Sequence, residues 1–103
     1  MEERDEISLD DLDKLRAQMG PERWRAVSDV AQVVANYLRC HPRVEVVRYP
    51  GLKADPLFEQ AAHTLVGGFG PLIDYQVDGR WRRLECMPGD VKAAILDLEG
   101  QLA

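Results

Sequence analysis

The sequence predicts a two-layer α+β domain, with helices packed on a small antiparallel sheet. Three observations predict it. Four segments repeat apolar residues at helical spacing. Three short segments concentrate Val, Ile, Tyr, Trp and Leu in the manner of strands. The last two of these are joined by Asp78-Gly79, a dipeptide that favours a two-residue hairpin turn. The chain of 103 residues and 11.6 kDa is one domain by length. About 5,800 Å² of surface is expected after folding, against about 17,000 Å² unfolded, so one modest core can form.

Ser8 is placed to cap a first helix over residues 8–18, with Leu9, Leu12, Leu15 and Met19 on its apolar stripe. Gly20-Pro21 breaks it, and Pro21 suits the first turn of a second helix over 21–40. That helix carries Trp24, Val27, Ala31, Val34, Ala35 and Leu38 on one stripe. Val30, Val33 and Tyr37 widen the stripe and predict cover on two sides. Pro42 ends it. Val44, Val46 and Val47 define a strand over 44–48, and Tyr49-Pro50-Gly51 a turn. Asp55-Pro56 reads as a cap and first-turn proline for a third helix over 56–66. Strands follow over 72–77 and 81–86. Pro88-Gly89-Asp90 opens a last helix over 90–102 with Val91, Ala94, Ile95, Leu98 and Leu102 inward.

The net charge of −5 is unevenly spread. Residues 1–13 hold seven acids and one base, and the other 90 residues hold eleven acids and twelve bases. Residues 1–13 therefore read as an acidic, solvated lead before a nearly neutral domain over 14–103. The absence of a basic excess argues against nucleic acid as a partner. No apolar run reaches the ~20 residues of a membrane span, so no membrane partner is expected. An acidic start is unlike a secretory leader, which makes the cytoplasm the expected location.

Candidate chemistry is sparse. Gly67-Gly68-Phe69-Gly70 lies after a helix and before a strand, the reverse of a phosphate loop, so helix termination is the expected role. Cys40 and Cys86 are 46 residues apart and read as reduced core thiols, without the spacing of a metal site. His41 and His63 read as structural. None of Lys14, Lys53 and Lys92 sits in a Schiff-base context. The charged patch of the body is Arg80-Trp81-Arg82-Arg83. Alternation places Arg80 and Arg82 on one face of the strand and Trp81 and Arg83 on the other. Trp81 is expected against the helices, which puts Arg83 on the covered side, in need of an anionic partner. An internal acid and a carboxylate ligand both satisfy that need.

The stretch His41-Pro42-Arg43-Val44-Glu45-Val46-Val47-Arg48-Tyr49-Pro50-Gly51-Leu52 resembles the start of the C-terminal domain in the Cys/Met-metabolism pyridoxal-phosphate enzymes. That family includes cystathionine γ-synthase, cystathionine lyases and methionine γ-lyase. Pro56, Glu59 and Ala61 match its next helix, and Gly68, Phe69 and Gly70 match a Gly-Phe-Gly before a strand. The resemblance spans residues 21–77. The closing segment, Arg83-Leu84-Glu85-Cys86-Met87-Pro88-Gly89-Asp90 and then Ile95 to Glu99, is similar to the family's end. Glu85 replaces a serine there, and Pro88-Gly89 an Ile-Glu.

The resemblance implies the C-terminal domain fold of fold-type I pyridoxal-phosphate enzymes. It implies that Arg83 matches the arginine that holds the substrate α-carboxylate, although Glu85 beside it opposes an anion. The family's catalytic lysine, phosphate-binding residues and ring-stacking tyrosine lie in an upstream domain that these residues do not match. The middle of the family's C-terminal domain is replaced by Asp78-Gly79. The chain alone is therefore expected to bind no cofactor, to have no catalytic residue, and to act by association, as a homo-oligomer or with a protein partner. The alternatives are an accessory subunit for a pyridoxal-phosphate enzyme of sulfur amino-acid metabolism, and a small amino-acid-binding module.

Overall fold

The computed structural model describes residues 6–102. In chain order it contains α1 (Leu9–Met19), α2 (Pro21–Arg39), β1 (Val44–Arg48), α3 (Phe58–Thr64), β2 (Leu72–Val77), β3 (Arg80–Glu85) and α4 (Val91–Leu102). The predicted α+β class and the order of elements hold. The sheet is antiparallel in the order β1-β2-β3. Asp78 and Gly79 both take positive φ, 53° and 76°, the conformation a tight hairpin of the primed type requires. A bulge interrupts β1 between Val44 and Val46, and the Glu45 carboxylate beside it accepts the Gly79 N–H at 2.8 Å.

Two clusters of apolar side chains hold the chain together, and α2 belongs to both. In the larger, Ala31, Val34, Ala35 and Leu38 of α2 meet Ile73, Tyr75 and Val77 of β2, with Leu98 and Leu102 of α4 alongside. Alternation along β2 sends those three residues to one face and Leu72, Asp74 and Gln76 to the other. The second cluster joins Trp24 at the start of α2 to Leu12 of α1, Ala61 and Leu65, with Ile7 beneath. The two-sided apolar character of α2 is thus met within the chain by the sheet and by α1 and α4, except at Val33, which is 47% exposed.

Several expectations need correction. The described part of the acidic stretch is not a solvated tail, because Ile7 and Leu12 are buried and draw Ser8 to Asp13 onto the fold. Residues 1–5 of that stretch lie outside the described residues. Helix α3 starts at Phe58, and Asp55-Pro56 does not form its cap. The Asp55 carboxylate is taken instead by the Tyr49 and Leu57 N–H groups and by Arg48. The Gly67–Gly70 cluster does not end α3 either, since the extended Leu65 does so. Its glycines permit close approach to α2: a Cβ on Gly70 would lie 2.9 Å from the Trp24 ring, and one on Gly68 would collide with Ser28. Trp24 Nε1 donates to the Gly68 carbonyl at 3.1 Å, and Ser28 Oγ accepts the Gly70 N–H at 2.9 Å.

Cys86 is buried but Cys40, at the C-terminal end of α2, is exposed. Burial, with Glu85 adding a smaller effect, pushes the Cys86 thiol up to about 11, which suppresses its reactive thiolate. A disulfide-exchange reagent at pH 8 is therefore expected to label one thiol in the native chain and two after denaturation. Prompt labelling of both in the native protein would contradict the packing around Cys86. Leu12→Ala should lower unfolding free energy by about 2–5 kcal/mol in chemical denaturation. A change below about 0.5 kcal/mol, the scale of a surface substitution, would mean that α1 is not docked.

Candidate functional site

The face of the sheet opposite the α2–α4 layer carries Asp74 of the central strand, with Arg48 of β1 and Arg83 of β3 on either side of it. Arg83 donates from Nε to Asp74 Oδ1 at 2.7 Å and from a terminal nitrogen to Oδ2 at 3.0 Å. This is the two-bond fork that guanidinium and carboxylate geometry favours. The Asp74 side chain is 1% exposed and that of Arg83 41%. Arg48 turns to Asp55 at 3.0 Å and lies 3.6 Å from Glu6. The Asp55 hydrogen bond is the largest influence raising the Arg48 pKa, and burial opposes it.

The expected orientation of Trp81 is corrected by the strand register. Leu84, not Trp81, lies opposite Ile73 and packs on the larger cluster. Trp81 lies opposite Gln76, so alternation gives it and Arg83 to the face away from α2 and α4. Arg83 therefore reaches its acid across the strands rather than from under the helices. Beside it a cavity of about 340 Å³ opens between α1 and the sheet. Its lining includes Glu6, Asp11, Lys14, Gln18, Leu72 and Arg83.

The other candidates stay apart from this face. His41 accepts the Arg43 N–H on Nδ1 at 3.1 Å and meets the Tyr37 ring edge-on at 5.8 Å. His63 is exposed on α3, and Lys53 and Lys92 are exposed. Among the described residues no group of three or more His, Cys, Asp or Glu side chains could hold a metal ion. Asp74 is the residue that sequence reasoning passes over. Its signal is an acid between Ile73 and Tyr75, inside a strand whose neighbours are buried.

Removing Arg83 leaves a carboxylate without its closest cation inside the protein. Arg83→Ala should cost about 3 kcal/mol of stability, whereas Arg82→Ala, on an exposed arginine, should stay within about 0.5 kcal/mol. Adding Asp74→Asn to Arg83→Ala should recover part of the loss, because the stranded charge is gone. Equal small effects for all three variants in urea denaturation would show that the pair carries no such weight.

Residues 21–96 match the family model described as Cys/Met metabolism PLP-dependent enzyme. Cystathionine gamma-lyase of Bacillus subtilis (strain 168) is 33% identical over 70 residues, which is 68% of this chain and 18% of that protein. The chain thus spans less than a fifth of this relative. A putative O-acetylhomoserine (thiol)-lyase of Campylobacter jejuni superposes with a TM-score of 0.73 at 16% identity, over 79% of this chain and 28% of that one. For cystathionine gamma synthase of Xanthomonas oryzae pv. oryzae the values are 0.72 and 18%, over 79% and 34%. At these identities the two structures establish the shared fold. Helix α1, which lines the cavity beside Arg83, precedes the matched residues.

Proposed function

The chain belongs to the Cys/Met metabolism PLP-dependent enzyme family, and we propose that it serves there as a C-terminal-type module acting by association, without chemistry of its own. The observation that carries this reading is the commitment of Arg83 to Asp74. An arginine that holds a substrate carboxylate must offer its fork to the ligand. Here Nε and one terminal nitrogen are committed to a buried acid of the same sheet, and that edge of the guanidinium joins β3 to β2.

Pyridoxal phosphate, the family's cofactor, does not fit the cavity beside Arg83. Lys14 lines the cavity next to Arg83, but Glu6 and Asp11 line it too, and no aromatic ring does so among the described residues. A phosphate dianion there would meet two carboxylates, and the pyridine ring would find no stacking face. The exposed side chains favour association instead. Met87 is 58% exposed and Leu96 59%, on the loop before α4 and on α4 itself.

A second reading, an amino-acid-binding module, draws on the cavity, whose mixed cations and acids could meet a zwitterion. Sedimentation of the full chain at micromolar concentration is expected to show species heavier than the 11.6 kDa chain, and calorimetric titration with methionine, cysteine or cystathionine to show dilution heat only. A strictly monomeric chain that releases binding heat, with the heat lost in Arg83→Ala, would replace the association reading with the second one.

A further inference from the structure

Resting on the association reading, we propose that the outer edge of β3 accepts an extended, acidic segment of a partner protein, which joins the sheet as a fourth strand with its acids at alternate positions. A sheet ordered β1-β2-β3 has two edges, and here they are built differently. The β1 edge is interrupted by the bulge between Val44 and Val46, and a bulge of this kind discourages a further strand. β3 carries no such device. It pairs with β2 in unbroken register from Arg80 to Glu85 and contains no proline. Among the described elements, β2 alone comes against its backbone. A regular, uncovered edge is a template for strand addition.

The side chains select the occupant. Arg80 and Arg82 lie opposite Val77 and Tyr75, so they share one face of β3 with Leu84. Both arginines are exposed and stand ~7 Å apart along the strand. Among the described residues no ion pair engages either of them. An incoming strand sets its own alternate side chains directly opposite these positions. Acids there would pair with the two cations, whereas bases would add to their repulsion. Charge on an edge strand thus turns away like-charged strands and admits one of opposite sign.

The rest of β3 fixes the order of the incoming residues. Leu84 is half-buried and suits an apolar neighbour. Glu85 follows it and disfavours an acid at that end. In the antiparallel sense the occupant therefore reads apolar-x-acidic-x-acidic, with its acids at the Arg80 end. A nucleic acid would meet the two arginines but has no peptide main chain with which to extend the sheet. The Arg83–Asp74 pair and the cavity under α1 take no part in this selection.

Fluorescence anisotropy of a labelled peptide, Thr-Val-Thr-Glu-Val-Glu-Thr, with the full chain is the test. A control of the same composition, Thr-Val-Thr-Glu-Glu-Val-Thr, puts its two acids on opposite faces in any register. The alternating peptide should bind about fivefold more tightly than the control. Its affinity should fall between 0.1 and 1 M NaCl, as the screening length drops from about 10 to about 3 Å. N-methylation of one alternate set of peptide nitrogens should abolish binding and of the other set preserve it, because only one set faces β3. Arg80→Glu with Arg82→Glu, shown to be folded by circular dichroism, should lose the acidic peptide and take Thr-Val-Thr-Lys-Val-Lys-Thr instead. Equal binding of the two acidic peptides, indifference to N-methylation, or equal binding of a labelled thymidine heptanucleotide would overturn strand addition. No peptide binding by a chain that still sediments as species heavier than 11.6 kDa would overturn this edge and leave the association reading intact. No peptide binding by a strictly monomeric chain would overturn both.

Discussion

A carboxylate buried in the central strand of a three-stranded sheet is the constraint around which the outer face is arranged. Asp74 is 1% exposed, and an unpaired charge at that depth would be prohibitive. Its cross-strand neighbours are Arg83 on one side and Arg48 on the other. Arg83 closes on it directly. Arg48 shares the same field and extends the network to Asp55, which in turn holds the Tyr49 and Leu57 N–H groups. One line of alternating charge thus runs from β3 across β2 and β1 into the turn before α3. It fixes the strand register by electrostatics where the opposite face fixes it by apolar packing.

Helix α2 is the second organising element. Its C-terminal half lies on the sheet and its N-terminal turn reaches the cluster under α1 and α3. The loop of residues 67–70 must pass close to that turn. The Gly70 carbonyl accepts from the Tyr49 hydroxyl at 2.9 Å, and the Gly70 N–H is bound to Ser28 on α2. Side chains at Gly68 or Gly70 would open this junction. The tyrosine at the end of β1 and the glycines before β2 are therefore joined through hydrogen bonds that hold the two clusters in one body.

The elements are legible in the sequence because apolar periodicity and turn chemistry are local. The boundaries of α1, α2, β1, β2 and α4 lie within a residue or two of the expectation, and Asp78-Gly79 forms the turn its composition requires. The less accurate readings concern long-range partners. Asp55 carries the signature of a helix cap, yet a cation seven residues earlier takes its carboxylate. Gly67-Gly70 carries the signature of a helix stop, yet it serves a contact with Trp24, forty-four residues before Gly68. Trp81 and Leu84 lie on opposite faces of one strand, and only the paired strand decides which of them enters the core. The anionic partner that Arg83 requires is foreseeable, but its identity depends on β2 and β3 being adjacent in register.

Correspondence of position does not by itself preserve a residue's role. The sequence resemblance matches Arg83 to the arginine that holds a substrate carboxylate in the family, and the fold around it is shared with the solved structures it superposes on. What decides its use is the occupant of the facing position. An arginine facing a neutral residue across the strands keeps both arms of its fork for a ligand. Facing Asp74, it gives Nε and a terminal nitrogen to an acid that cannot be left unpaired. The pairing that engages Arg83 ties β3 to β2 on the outer face of the sheet, so one ion pair both occupies this edge of the arginine and braces the strands.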